Sequence, residues 1–212
     1  MPTNDDLIDR LTADLKPTRT VSLWLARAML LGVALLTVAA IIALFGMRPD
    51  FIAGRPSSVP LMSELVILCA GGALAAALTA MARPAVGATR NDWPWAVAVL
   101  SVLPIAALVT AAGDSTERAV MLDPDGLSCL VTGTIASITS IVLLTLWMRR
   151  GAPSSPNRAA WLIGIVGGAI GALAMGLVCR VDAIAHIGIW HVGIVALAAA
   201  ASRLAVPRFL RW

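Results

Sequence analysis

Charged residues are scarce in this chain of 212 residues, and their scarcity excludes an ordinary soluble domain. Asp, Glu, Lys and Arg together make up 13% of the sequence, whereas 59% of the residues are hydrophobic and the mean hydropathy is +0.88. A soluble domain of this length would have about a quarter of its residues charged. The composition therefore predicts an integral membrane protein.

Cysteine and histidine are also rare, with three and two copies. Three cysteines are too few for a disulfide framework, and no pair has the tight CxxC spacing of a permanent metal site. No serine or carboxylate dyad accompanies the histidines at a spacing suited to hydrolysis. We therefore expect no catalytic residues, no enzyme activity and no resident cofactor.

The few positive charges are nearly all arginine and lie dispersed between apolar segments. The net charge of +4 and the pI of about 9.8 would suit a nucleic-acid partner if the charges were clustered. Dispersed arginines at the ends of apolar runs are instead typical of membrane flanks. The pattern predicts contact with a lipid bilayer and no direct contact with nucleic acid.

Six apolar runs of about 20 residues are each long enough to cross a hydrocarbon core of roughly 30 Å as a helix. They cover residues 22–46, 61–82, 93–112, 128–148, 159–178 and 184–204. The connections are short, and several contain proline. Small residues in the fifth run, including Gly164 and Gly168, would let a neighbouring helix approach closely. The predicted fold is an all-α bundle of six transmembrane helices over residues 21–212.

The distribution of arginine and lysine predicts the orientation. The N-terminal tail, the second and fourth connections and the C-terminus carry eleven such residues, whereas the opposite side has only Arg48, Arg55, Arg118 and Arg180. Positive residues collect on the cytoplasmic side. Both termini are therefore expected in the cytoplasm.

The tail, residues 1–20, has the pattern of a short amphipathic helix that begins at Thr3 or Asn4 and ends before Pro17. Its apolar stripe lies opposite an acidic face, and a helix this short is ordered best against a partner. The tail is too long and too acidic for a signal peptide. The candidate partner-binding residues are Asp5, Asp6, Leu7, Ile8, Leu11 and Leu15.

Reactive side chains gather at the outward ends of the last three helices. Cys129 at the start of the fourth helix and Cys179 at the end of the fifth share one membrane depth, so their thiols could meet. On an oxidising face such thiols form a disulfide or capture a soft metal transiently. Asp182 and His186, at i and i+4, are possible auxiliary ligands, as is His191, although an α-helix turns His191 away from His186 by about 140°. Cys69 is expected to be an apolar filler.

The order of these features resembles a known family. The features are Asn4-Asp5-Asp6-Leu7-Ile8, Leu11 to Leu15, Pro17, six helices, a cysteine at the fourth helix, and Cys179-x-x-Asp182-x-x-x-His186-x-x-x-Trp190-His191. Together they resemble the NrsF-type anti-sigma factors of the bacterial inner membrane. The resemblance implies that the tail holds an extracytoplasmic-function sigma factor. It also implies that Cys129 and Cys179 respond to heavy-metal or oxidative stress.

An alternative function is a small transporter, or a redox protein that binds metal or haem. Transporters generally need ionisable groups near the middle of the bilayer, and here Glu64 and Arg27 lie near the ends of their runs. Haem ligation would use histidines from facing helices, whereas both histidines lie in one segment. A metal or Soret absorbance of the purified protein would favour this alternative.

Overall fold

The structure is a computed structural model that describes residues 4–13, 22–82, 93–151, 153 and 155–210, apart from the side chains of Leu11 and Trp93. This described part is helical and contains no strand. Leu15, Pro17 and the basic residues between 83 and 92 lie outside it. The predicted all-α class is therefore confirmed for the residues described.

Among the described residues, six helices are long and apolar enough to cross a membrane, as predicted. They are α2 (Leu23–Phe45), α4 (Ser58–Met81), α5 (Trp93–Gly113), α7 (Asp125–Met148), α8 (Pro156–Gly176) and α9 (Ile184–Ala205). Four shorter helices accompany them: α1 (Asn4–Ala13), α3 (Pro49–Ile52), α6 (Ser115–Met121) and α10 (Pro207–Leu210). The chain is a multi-pass membrane protein.

Local sequence signals set the ends of the helices. The Ser22 hydroxyl accepts a hydrogen bond from the Leu25 N–H and caps the start of α2, while Gly46, at φ 77°, ends it. Pro49 and Pro156 occupy the first turns of α3 and α8, where no N–H is required. These signals keep the connections short, and the consecutive spans α7, α8 and α9 pack against one another.

Helix α8 is the central element of the bundle. It packs against α2, α4, α7 and α9, and 89% of its apolar stretch is buried, compared with 17% for α2. Small residues make this burial possible. A Cβ atom on Gly164 would lie 2.6 Å from the Ala198 carbonyl oxygen of α9, and one on Gly168 would lie 2.7 Å from the Val195 Cα. The close helix approach predicted from these glycines is confirmed.

Four segments meet at one end of the bundle. The start of α7, the connection 177–183 after α8 and the start of α9 lie together, and hydrogen bonds join the connection 46–57 after α2 to the connection 177–183. Helix α6 reaches the start of α9 from the side. This end of the bundle carries the reactive side chains described next.

Candidate thiol and imidazole site

The structure brings Cys129 and Cys179 together. Cys129 is in the first turns of α7, and Cys179 follows α8 in the connection to α9. Their Sγ atoms are 3.8 Å apart, both thiols are free, and the residues are only 9% and 8% exposed. Residues 50 positions apart in the chain thus form one buried thiol pair. Cys69 lies elsewhere, exposed on α4.

Both histidines join this pair. The His186 Nε2 atom is 3.5 Å from the Cys179 Sγ atom, and the two imidazole centroids are 5.6 Å apart, edge to face. One ligand atom from each cysteine and histidine lies within 4.8 Å of the other three. We refer to Cys129, Cys179, His186 and His191 as the Cys2His2 cluster.

The position of His191 corrects the expectation that it turns away from His186. Residues 187–191 form a π-helical turn inside α9, in which residues five apart lie nearly above one another. The wider turn brings His191 to the side of the helix that carries His186. A π turn depends on a local change of hydrogen-bond register, which the apolar sequence Ile187-Gly188-Ile189 does not signal.

Asp182 lies outside the Cys2His2 cluster. It lies before the first residue of α9, Ile184. The prediction that Asp182 and His186 share one helical face is therefore wrong. Its carboxylate instead accepts hydrogen bonds from the Arg48 guanidinium and from the Ser57 hydroxyl, the latter at 2.8 Å. Asp182 therefore holds the connection that carries Cys179 in place. It is not a further ligand of the Cys2His2 cluster.

Arg48 is the centre of that attachment, and sequence reasoning missed it. Its side chain is only 4% exposed, and its Nη1 atom donates to the Cys179 carbonyl oxygen at 2.8 Å. Its backbone N–H donates to the Leu177 carbonyl oxygen at 3.0 Å, and its guanidinium also forms an ion pair with Asp50. The available signal was the presence of Arg48, Asp50 and Asp182 on the side that has few basic residues.

Electrostatics favour the ionised forms at this end of the bundle. Burial alone would lower the pKa of Arg48, but its hydrogen bonds to Asp50 and Asp182 outweigh burial and raise it. The Arg48 hydrogen bond also lowers the pKa of the Asp50 carboxyl. Hydrogen bonding from the Cys129 thiol, the largest cause, and from His186 lowers the pKa of Cys179. Cys179 is therefore the more readily ionised thiol of the pair.

Helix α6 covers the start of α9. The Glu117 carboxylate accepts a 2.9 Å hydrogen bond from the Ala185 N–H, which satisfies one of the free donors at the beginning of that helix. The Trp190 indole donates to the Met121 carbonyl oxygen at 3.1 Å and packs over Gly126, where a Cβ atom would lie 2.1 Å from the indole nitrogen. These contacts hold the histidine segment against α7.

Glu64 is a second group whose surroundings the sequence did not predict. Its residue is only 8% exposed, and neither carboxylate oxygen has a hydrogen-bond partner among the residues that the structure describes. The carboxylate lies on Gly176, where a Cβ atom would be 1.6 Å from its Oε1 atom. Glu64 thus packs against the last residue of α8, three positions before Cys179.

Asp5, Asp6, Leu7 and Ile8 lie on α1, whose described part runs from Asn4 to Ala13. Leu7 and Ile8 are 54% and 55% exposed, and Asp5 and Asp6 are exposed as well. The Leu11 side chain and Leu15 lie outside the described residues. The described part of α1 thus presents apolar side chains that the rest of the described structure does not cover.

Comparison with known proteins identifies the family. No curated protein and no solved structure matches the chain. The sequence model of the family NrsF, described as "Negative regulator of sigma F", matches residues 11–212. The match includes all six spans and all four members of the Cys2His2 cluster, and it bears out the resemblance found in the sequence. The chain belongs to the NrsF family of negative regulators of a sigma factor.

Proposed function

We propose that this protein is an anti-sigma factor of the bacterial inner membrane with both termini in the cytoplasm. Its tail, residues 1–20, holds an extracytoplasmic-function sigma factor, and residues 21–212 form the membrane sensor. The excess of arginine and lysine on the side of the tail supports this orientation. The protein acts by binding and release, and we assign it no catalytic residue.

The observation that carries the proposal is the 3.8 Å separation of the Cys129 and Cys179 sulfurs. Two thiols at this distance need only a small movement to form a disulfide. Hydrogen peroxide would accept two electrons and the two thiol protons, which leaves a disulfide and two water molecules. A soft metal ion that replaces the thiol protons would also join α7 to the connection after α8.

A set of contacts links the Cys179 connection to the end of α2, the helix that follows the tail in the chain. Arg48 binds the Cys179 carbonyl oxygen and Asp182, and it lies two residues after the α2 C-cap, Gly46. The other end of α2 continues into the tail. At 1.5 Å per residue the 23 residues of α2 span about 34 Å, which is enough to cross the membrane. A shift of the Cys179 connection would thus act on the helix that carries the sigma-binding segment.

The test is a reporter gene transcribed by the cognate sigma factor, in cells that carry the full-length protein. Cys129→Ser and Cys179→Ser should each abolish induction by cadmium or peroxide while repression without stress is kept. Cys69→Ser is the matched control and should respond normally, because Cys69 lies outside the cluster. Normal induction in both variants of the pair would refute the sensor assignment.

A further inference from the structure

Two distances within the Cys2His2 cluster match the edges of a tetrahedron around a metal ion. With Zn–S bonds of about 2.3 Å and Zn–N bonds of about 2.0–2.1 Å, tetrahedral geometry places two sulfurs about 3.8 Å apart and a sulfur and a nitrogen about 3.5–3.6 Å apart. The observed separations are 3.8 Å between the two Sγ atoms and 3.5 Å between the Cys179 Sγ and His186 Nε2 atoms. The fourth ligand atom, from His191, lies within 4.8 Å of the other three ligand atoms.

The imidazoles supply an independent observation. Both histidines are only 1% exposed, and neither nitrogen of His191 has a hydrogen-bond partner among the described residues; the same is true of His186 Nδ1. Burying a polar group without a partner costs free energy, so native structures rarely leave one unsatisfied. A cation bound at one nitrogen of His191 would give that ring the partner that the described residues do not provide.

The charge and type of the ligands select the cation. Two thiolates and two neutral imidazoles carry a charge of −2, which a divalent cation neutralises, and a neutral site is the least costly one to bury. Thiolate and imidazole together suit borderline-soft ions that accept four ligands, above all Zn²⁺. Because all four positions are occupied by the protein, the site is closed, as in structural zinc sites.

We propose that Cys129, Cys179, His186 and His191 bind a resident divalent cation of the zinc class, and that the reduced sensor is metal-loaded. The binding site stands on geometry alone, whereas its role in signalling rests on the proposed function. The sequence predicted only transient capture of a soft metal by the two cysteines, whereas we propose that all four residues hold a permanently bound ion. The π turn in α9 is then the element that completes the site, since it brings His191 to the sulfurs.

A resident cation gives oxidation a defined product. Two cation-bound thiolates, one hydrogen peroxide and two protons yield one disulfide, two water molecules and the free cation. The disulfide has lost the thiolate charge that held the ion, so the ion leaves. A softer ion such as Cd²⁺ would instead replace Zn²⁺ on the same four ligands, with longer bonds.

The test uses purified full-length protein in detergent, with a streptavidin-binding tag so that no tag histidine binds metal. Elemental analysis should find one zinc per chain. Co²⁺ added to the metal-free protein should give the visible absorption of a tetrahedral site with two thiolates. His186→Gln and His191→Gln should each lose this spectrum. His191→Cys, which restores a fourth ligand, should bind one Co²⁺ with added thiolate charge-transfer intensity, and Cys69→Ser should match the wild type.

Three outcomes would overturn the inference. They are metal-free wild-type protein that gives no tetrahedral Co²⁺ spectrum, a His191→Gln variant that binds Co²⁺ as the wild type does, and a His191→Cys variant that elutes as a folded monodisperse species but binds none. The reporter assay separates this result from the proposed function. Zinc binding without stress-dependent induction would leave the site standing and refute the sensor. Stress-dependent induction by a protein that never binds zinc would support the sensor and refute the zinc site.

Discussion

The Arg48 guanidinium donates a 2.8 Å hydrogen bond to the backbone carbonyl oxygen of Cys179, 131 residues further along the chain. This bond joins the connection after α2 to the connection that carries one thiol of the cluster. It is reinforced on both sides, by Asp50 within the first connection and by Asp182 within the second. The arrangement makes the position of Cys179 depend on a residue outside the cluster.

Replacing Arg48 by methionine should therefore destabilise the protein without removing any possible metal ligand. Asp50 and Asp182 are 27% and 49% exposed and can be rehydrated, but the buried Cys179 carbonyl oxygen loses its donor. We expect a loss of about 1–3 kcal/mol in the free energy of unfolding, measured by denaturant titration in detergent. Arg55→Met, on the exposed part of the same connection, is the control and should change the stability little.

The ion pair of Arg48 with Asp50 should give the stability a dependence on acid pH. Because the hydrogen bond from Arg48 lowers the pKa of Asp50 in the folded protein, this carboxylate stabilises the fold above its unfolded pKa of about 3.9. That contribution falls as the pH drops through the lowered folded pKa. The unfolding temperature should fall less between neutral pH and pH ~3 in Asp50→Asn than in the wild-type protein. Identical pH profiles for the two proteins would contradict this role.

The contact of α8 with α9 should not tolerate a methyl group at Gly164. An added Cβ atom would meet backbone atoms, 2.6 Å from both the Ala198 carbonyl oxygen and the Ala199 Cα, and backbone cannot move aside as a flexible side chain can. Gly164→Ala should lower the free energy of unfolding by about 1–3 kcal/mol. Gly72→Ala is the matched control, since nothing lies within 4 Å of its Cβ position, and it should be neutral or slightly stabilising.

The apolar side of α1 should be needed for repression. Leu7→Asp places a charge among the exposed apolar residues proposed to bind the sigma factor, and it should release the factor and raise reporter expression without stress. Ala13→Asp adds the same charge about 120° from Leu7 on the helix and should leave repression intact. Co-purification of the sigma factor with each variant measures the effect. Equal retention by both variants would contradict the assigned face.

The spans could be predicted from the sequence because length and hydropathy alone decide them. The buried face of α8 was also predictable, since its glycines recur at the spacing of helix contacts. The geometry of the cluster was not. The position of His191 depends on a single π turn, and the pairing of Arg48 with Asp182 joins residues 134 positions apart. Neither leaves a periodic pattern in the sequence, although the concentration of reactive residues after position 178 did locate the site.

Helix α2 is the span that the rest of the bundle holds least, with only 17% of its apolar stretch buried. One end is fastened through Arg48 to the Cys179 connection, while most of its length faces outward. If the Cys179 connection moves on oxidation, as proposed, α2 would tilt about a point near Gly46. A tilt of about 5° around this point would carry the far end of a 34 Å rod by roughly 3 Å. Closing the two sulfurs from 3.8 Å to the disulfide length of about 2.05 Å would thus be accompanied by a displacement as large as a hydrogen bond at the far end of α2.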